Sequence, residues 1–313
     1  MAADEPTMQI EHPERGYRYF RNAVERHWDP YEIDLEEDLE NLEEFDYEGD
    51  EEEEYAGMLR TVLALFGAGE ESVTEDLSPF GVVFEDIEDQ MFITTQLYEE
   101  AKHTEFFDRY WREVIHPVED ELGLERSSPT EDRWYSEEYD ELFEREEEAL
   151  HALLDDPSPE QQVRAHAHYH LTVEGVLAQT GYWGITKNFD GTQGDELPQL
   201  PGLVEGIANI RSDEGRHVGF GMAKIKEHLE SGRVEPQVLD DVLADLLPLV
   251  QATVTDVFGD VDPDDFPGTD PGQVANYAIQ KHQDRMEQIT NVDAEIPGID
   301  ELVALDDDVV AAD

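Results

Sequence analysis

Apolar residues recur three and four positions apart through most of this chain, set among acids, which is the spacing of one helix face. In YAGMLRTVLALFGAGEESVTEDL (55–77), Met58, Val62, Leu65 and Phe66 fall on such a face. FGVVFEDIEDQMFITTQLYEEAKHTEFFDRYWREVI (80–115) predicts a second long helix, stopped near Pro117. SSPTEDRWYSEEYDELFEREEEALHALL (127–154) opens on cap-forming Ser and Thr and predicts a third. SPEQQVRAHAHYHLTVEGVLAQTGYWGITKN (158–188) predicts a fourth, with Ser158 as N-cap and Pro159 in the first turn. Beyond the loop FDGTQGDELPQLPG, the pattern gives a fifth helix over 203–232, a sixth near 235–258 and a seventh near 271–290. The acidic stretch 34–57 has sparse apolar positions and predicts a solvated helix and a loop. No strand-like alternation is bounded by hairpin turns, so the class is all-α. No linker divides the chain. It reads as a single domain, 1–313, with 1–15 and 294–313 as peripheral tails, the acidic end frayed.

Composition adds a strong charge. Of 313 residues, 80 are Asp or Glu and 20 are Lys or Arg, a formal net charge of −60. That balance with a hydrophobic fraction of only 39% would ordinarily mean disorder, but 9% aromatics and the helical spacing favour a fold. Such a chain repels itself in dilute buffer. Salt removes most of the penalty, since the screening length falls to about 3 Å at 1 M. A salt-rich, halophilic cytoplasm is therefore expected, the rival being an acidic protein that binds basic partners. Nucleic acid is excluded as a partner, because phosphate binding needs clustered Lys and Arg. There is no Cys, which rules out disulfides and thiolate chemistry. No signal peptide or membrane-spanning run is visible, so a cytoplasmic protein is expected.

The candidate chemistry lies in EEAKH (99–103) and DEGRH (213–217), which both contain Glu-x-x-His. Residues three apart sit roughly 60° apart on one helix face, so a carboxylate and an imidazole reach one cation. The motif also occurs at Glu113/His116, which runs into Pro117, and at Glu148/His151, which follows a run of acids. Context separates the copies. A bundle dimetal site takes one lone Glu from each of two helices and a Glu-x-x-His from each of two others. Glu70 and Glu174 are acids in otherwise apolar surroundings, where an unpaired carboxylate would be protonated or metal-bound. The order Glu70, Glu100-x-x-His103, Glu174, Glu214-x-x-His217 then suits two helical hairpins about a pseudo-twofold axis. Oxygen and imidazole ligands without thiolate point to Fe or Mn. His166 and His170 in HAHYH have ligand spacing too, though such residues more often line a helix face or bond to a ligand's outer side. Tyr182 in TGYWG is a candidate hydroxyl beside the site.

These motifs resemble the ribonucleotide reductase small subunit and, more closely, the ligand-binding oxidases related to it within the ferritin-like superfamily. GEESVTEDLSPF (69–80), YHLTVEGVLAQTGYWG (169–184), DEGRHVGFG (213–221) and the opening segment from residue 17 carry the resemblance. It implies a ferritin-like helical bundle with additional helices, a homodimer, and a dinuclear Mn and Fe centre, or two Fe, that reacts with O2 beside a long-chain fatty acid or similar apolar ligand. It implies that Glu70, Glu100 and His103 hold the first metal, that Glu174, Glu214 and His217 hold the second, and that Glu100 bridges. It also implies an ether cross-link between Val73 and Tyr169. In an ideal helix Tyr169 points about 140° away from Glu174, so a local bulge is needed. Most reductase subunits place a radical Tyr four residues after the first His; Phe107 stands there. The alternatives are a reductase small subunit that generates a radical for a large subunit, and a ferroxidase or iron-binding protein.

The charge generates a first prediction. The thermal unfolding midpoint should climb steadily as KCl rises from about 0.1 M to beyond 1 M, where screening is nearly complete. Scanning calorimetry across that series checks it, and full stability without salt would remove the halophilic expectation.

Overall fold

Proline opens many of the helices here and glycine or a turn closes them, so the chain's breaks are written locally. Pro159, Pro201, Pro236 and Pro271 each occupy the first turn of a helix, where a missing N–H costs nothing. Gly123, at φ 70°, closes another in the left-handed conformation. The computed structural model describes residues 9–45, 51–192, 197–258 and 268–302. In chain order the helices are α1 (Arg15–Glu25), α2 (Glu36–Glu44), α3 (Glu51–Asp76), α4 (Ser78–Val83), α5 (Ile87–Tyr110), α6 (His116–Leu122), α7 (Glu137–Asp155), α8 (Pro159–His166), α9 (Gln179–Phe189), α10 (Pro201–Glu230), α11 (Pro236–Val257), α12 (Pro271–Thr290) and α13 (Ile299–Leu302). Two π-helical stretches, Trp111–Ile115 and Ala167–Ala178, join α5 to α6 and α8 to α9 without a break. No strand occurs among the described residues.

The bundle is all-α and ferritin-like, as expected. Its centre is built from two pairs of rods. α3 packs on α5, and the rod from α8 to α9 packs on α10, while α5 and α10 touch across the middle. α7, α11 and α12 cover the second pair. Apolar clusters flank the centre. One gathers Leu63, Phe106, Phe107 and Tyr182, another Val73, Phe92, Tyr169 and Phe220. Among the described residues no helix is long and apolar enough to cross a membrane.

The chain departs from its periodicity in four places. The helix predicted over 80–115 breaks after Val83, because Phe84 leaves the helix to bury its ring against Phe220 at 5.7 Å, and Gln90 donates to its carbonyl. At the other end the helix does not stop at Pro117. The π-helical turn before Pro117 shifts the hydrogen-bond ladder, so the ring is accommodated and α6 continues. Ser127 and Ser128 do not cap α7. Ser127 N–H donates to Glu119 Oε2 at 3.0 Å, and the cap is Ser136, whose Oγ accepts from Tyr139 N. The tail is only partly testable, since 303–313 lies outside the described residues, but Leu302 is buried and α13 packs on α10.

The acidic segment also departs from its expectation. α2 is not simply solvated, because Asp38 and Leu42 are buried. Asp38 accepts from the first amides of α10, Gly202 N at 2.7 Å and Leu203 N at 2.8 Å, and from Tyr110 Oη at 3.0 Å. Burial lifts its carboxyl to about 6 against those donors. It therefore caps from a distant segment the helix that carries Glu214 and His217. Asp38→Ala should cost about 1–2 kcal/mol of stability. Chemical denaturation with an unchanged m-value would show that loss.

Candidate metal centre

Each of the four central rods contributes one face to a common interior. Glu70 comes from α3, Glu100 and His103 from α5, Glu174 from the π-helical stretch, and Glu214 and His217 from α10. All six are buried. Their ligand atoms form two groups in which every atom lies within 4.8 Å of the others: Glu70, Glu100, His103 and Glu214 in one, Glu100, Glu174, Glu214 and His217 in the other. Both imidazoles turn Nδ1 inward. His103 Nδ1 is 3.2 Å from Glu100 Oε2 and 3.5 Å from Glu70 Oε2. His217 Nδ1 is 3.1 Å from Glu100 Oε1 and 3.2 Å from Glu174 Oε1. Glu100 and Glu214 belong to both groups, so the sequence-based expectation of a single shared Glu100 is extended by Glu214.

The electrostatics are those of acids forced together. Burial, with neighbouring carboxylates adding to it, pushes Glu70 up to about 8. Burial likewise raises Glu174 and Glu214. Burial opposes ionisation of Glu100 as well, but the imidazoles of His217 and His103 outweigh it and hold its carboxyl well below the usual range. Glu174 Oε2 and Glu214 Oε2 have no hydrogen-bond partner among the described residues. Four inward carboxylates, two inward imidazoles and buried oxygens without donors fit a pair of divalent cations: the cluster could bind a dinuclear metal site.

The π-helical stretch resolves the difficulty with Tyr169. Bonding from i to i+5 widens the turn, so residues five apart return to one face. Thr172 Oγ1 donates to the Ala167 carbonyl five residues back at 2.7 Å. A Cβ on Gly175 would lie 2.7 Å from the carbonyl oxygen of His170, so this widened turn excludes a side chain there. Tyr169 Oη then donates to Glu100 Oε1 at 2.9 Å. Val73, one turn after Glu70, is buried and lines the same cavity as Tyr169 and the four acids. Tyr182 Oη donates to Glu70 Oε1 at 3.3 Å. Phe107 lies stacked on Phe66, 5.6 Å between centroids.

A second layer was missed by the sequence reading. Glu99 and Asp213 each precede an inward Glu, and they bind the outer nitrogens crosswise. His103 Nε2 is 3.1 Å from Asp213 Oδ2, and His217 Nε2 is 2.9 Å from Glu99 Oε2. Arg216 bridges Glu99 to Asp213, while Lys102 Nζ and Trp28 Nε1 each reach Asp213 Oδ2 at 2.8 Å. Burial opposes the charge on Asp213, yet His103, Lys102 and Arg216 hold its carboxyl below the usual range. The signal was present: EEAKH and DEGRH share acid, Glu, any residue, base, His. The other Glu-x-x-His copies do not assemble. Glu113 pairs with Arg109 and His116 bonds to the Ser127 carbonyl. Glu148 is exposed, while His151 joins Asp76 and Glu147 in a half-exposed acidic group.

A helical bundle with paired Glu-x-x-His segments and a lone Glu from each remaining rod defines a carboxylate-rich dimetal protein. Residues 7–291 match the ribonucleotide reductase small chain family, and the chain belongs to it. Among solved structures it is similar to variants of an R2-like ligand-binding oxidase. One with an anaerobically reconstituted Mn/Fe cofactor is 26% identical at a TM-score of 0.76, covering 90% of this chain and 96% of that one. Another, with an aerobically reconstituted Mn/Fe cofactor, is 27% identical at 0.74, covering 90% and 95%. A third, described with a non-activated Mn/Mn cofactor, is 25% identical at 0.74, with the same coverage.

Metal addition tests the centre. Anaerobic Mn(II) or Fe(II) at about a thousand times its Kd should stabilise the metal-free protein by about 4 kcal/mol per site. Glu100→Ala, which removes a residue common to both groups, should lose most of the gain, and Glu70→Ala about one cation's share. Thermal shift together with metal content per chain reads both.

Proposed function

We propose that this protein is an O2-activating dinuclear oxidase, holding Mn and Fe or two Fe, that binds a long-chain fatty acid or similar apolar ligand beside the metals. The observation that carries the reading is a cavity lined by Met58, Leu65, Phe66, Leu177, Ile185 and Phe258 that runs down to Glu70, Glu100, Glu174 and Glu214. An apolar tail would fill that cavity and its carboxylate would reach the metals. Donors limited to oxygen and imidazole suit Mn and Fe. The oxidases with Mn/Fe cofactors that this chain resembles support the same choice.

In this reading Glu70, Glu100 and His103 would hold one metal and Glu174, Glu214 and His217 the other, Glu100 and Glu214 being common to both groups of inward atoms. Bound metals would supply O2 reduction and removal of hydrogen from a nearby C–H bond. The chain's own residues do the rest. Asp213 and Glu99 orient the two imidazoles through their outer nitrogens. The apolar wall keeps water from the centre. Tyr169 Oη, held on Glu100, and Val73 on the same cavity wall are the pair proposed to join. The ether forms between the Tyr169 oxygen and a Val73 side-chain carbon. Each partner loses one hydrogen, and O2 takes the two electrons and two protons. A homodimer in a salt-rich cytoplasm completes the proposal.

One observation favours a second reading, a reductase small subunit. Trp28 Nε1, Asp213 and His103 form a hydrogen-bonded chain from the half-buried indole to the centre, a route along which a radical could pass to a large subunit. Phe107 argues against it, since it leaves no tyrosine at the expected storage position.

Mass spectrometry after anaerobic loading with Mn(II) and Fe(II), before and after O2, decides between them. The expected result is a loss of two hydrogens on linked peptides containing Val73 and Tyr169, abolished in Tyr169→Phe, with a fatty acid in the solvent extract. An unchanged mass, with nucleotide reduction on adding a reductase large subunit, would favour the second reading.

A further inference from the structure

The histidines of HAHYH find a use that metal binding does not provide. His166 and His170 are fully buried, and their Nδ1 atoms face each other at 3.1 Å. His170 Nε2 lies 3.2 Å from Gln96 Oε1. Gln96 Nε2 in turn donates to Glu174 Oε1 at 3.0 Å and, more distantly, to Glu100 Oε1 at 3.4 Å.

Donor and acceptor chemistry fixes the direction of this chain. Gln96 cannot turn its amide round, because its carbonyl would then face the carboxylate oxygens of Glu174 and Glu100. Its Oε1 therefore accepts, and His170 Nε2 carries the hydrogen. Burial, the larger cause at both rings, and at His166 also the neighbouring His170, disfavours the charged form of each. A neutral His170 protonated at Nε2 offers a lone pair at Nδ1, so His166 donates from Nδ1. Every N–H along the line from His166 to Glu174 thus points toward the centre. The line is also rigid. Phe80 stacks on His166 at 4.4 Å, and α10 comes so close at Gly221 that a Cβ there would lie 2.3 Å from His170 Cβ.

The other lone acid has no such support. Among the described residues Glu70 accepts from the phenol Tyr182 Oη at 3.3 Å and has His103 Nδ1 at 3.5 Å, with no amide donor. We propose that Gln96, buttressed by His170 and His166, is a positioning group for Glu174. It fixes the rotation of that carboxylate toward the centre, and so makes the two cation positions of a pseudo-symmetric centre unequal. The inference rests on the dimetal reading above.

Two-step cation binding tests it without turnover. Mn(II), and separately Fe(II), is titrated anaerobically into metal-free wild type, Gln96→Leu, His170→Phe, His170→Gln and His166→Phe, with the unfolding midpoint of each metal-free variant as the folding control. Gln96→Leu and His170→Phe should weaken one of the two steps roughly 10–100-fold and leave the other unchanged. His170→Gln, which can still donate to Gln96, should recover most of the loss. His166→Phe, two bonds removed, should lose less than His170→Phe. Equal weakening of both steps, or none, overturns the positioning role. Wild type that takes up fewer than two cations overturns the dimetal reading, and this inference with it.

Discussion

Four carboxylates enclosed together by four helices are the constraint on which this structure depends. Each acid must give up water, and each repels the others through an interior that screens poorly. The raised carboxyls of Glu70, Glu174 and Glu214 record that cost in the chain alone. Two divalent cations would cancel four negative charges. The second layer balances by the same count, with Glu99 and Asp213 set against Lys102 and Arg216. A chain of formal charge −60 thus spends two of its 20 basic residues at the centre of its fold.

Every helix around the centre serves that enclosure. Asp38 caps α10 from a segment that composition alone would leave in solvent. The crosswise pairing of Asp213 with His103 and Glu99 with His217 ties α5 to α10, so the two Glu-x-x-His segments hold each other in register. The π-helical stretch brings Tyr169 and Glu174 to one face at the cost of ideal geometry, a price met where the chain touches its chemistry. The cavity ends on the same acids, so its apolar wall and the acid cluster are continuous.

Much of this was legible in the sequence, and what was not has physical causes. The six inward residues were found because lone acids on apolar faces are rare, even in a chain with 80 acids. The helix start at Pro159 was found because proline acts locally, and the starts expected near 235 and 271 fall at Pro236 and Pro271. Glu99, Asp213 and Gln96 were missed because polar residues on helices are abundant here, and their partners lie 118, 110 and 78 residues away. The break at Phe84 was missed because periodicity reports a face, not the ring that will claim it. Pro117 was read as a stop because an ideal helix cannot carry it, and a π-helical turn can.

By itself, then, the sequence determined the helical class, the two hairpin halves and the identity of the inward acids and imidazoles, because these depend on spacing along one rod and on the cost of burying charge. Only the tertiary structure decided that Glu214 is shared as well as Glu100, that Asp213 and Glu99 cross over, that Tyr169 reaches Glu100 through a widened turn, and that His170 serves Gln96. Those relations join atoms on different rods, and their distances are set by how the helices pack, which no period along one chain can encode.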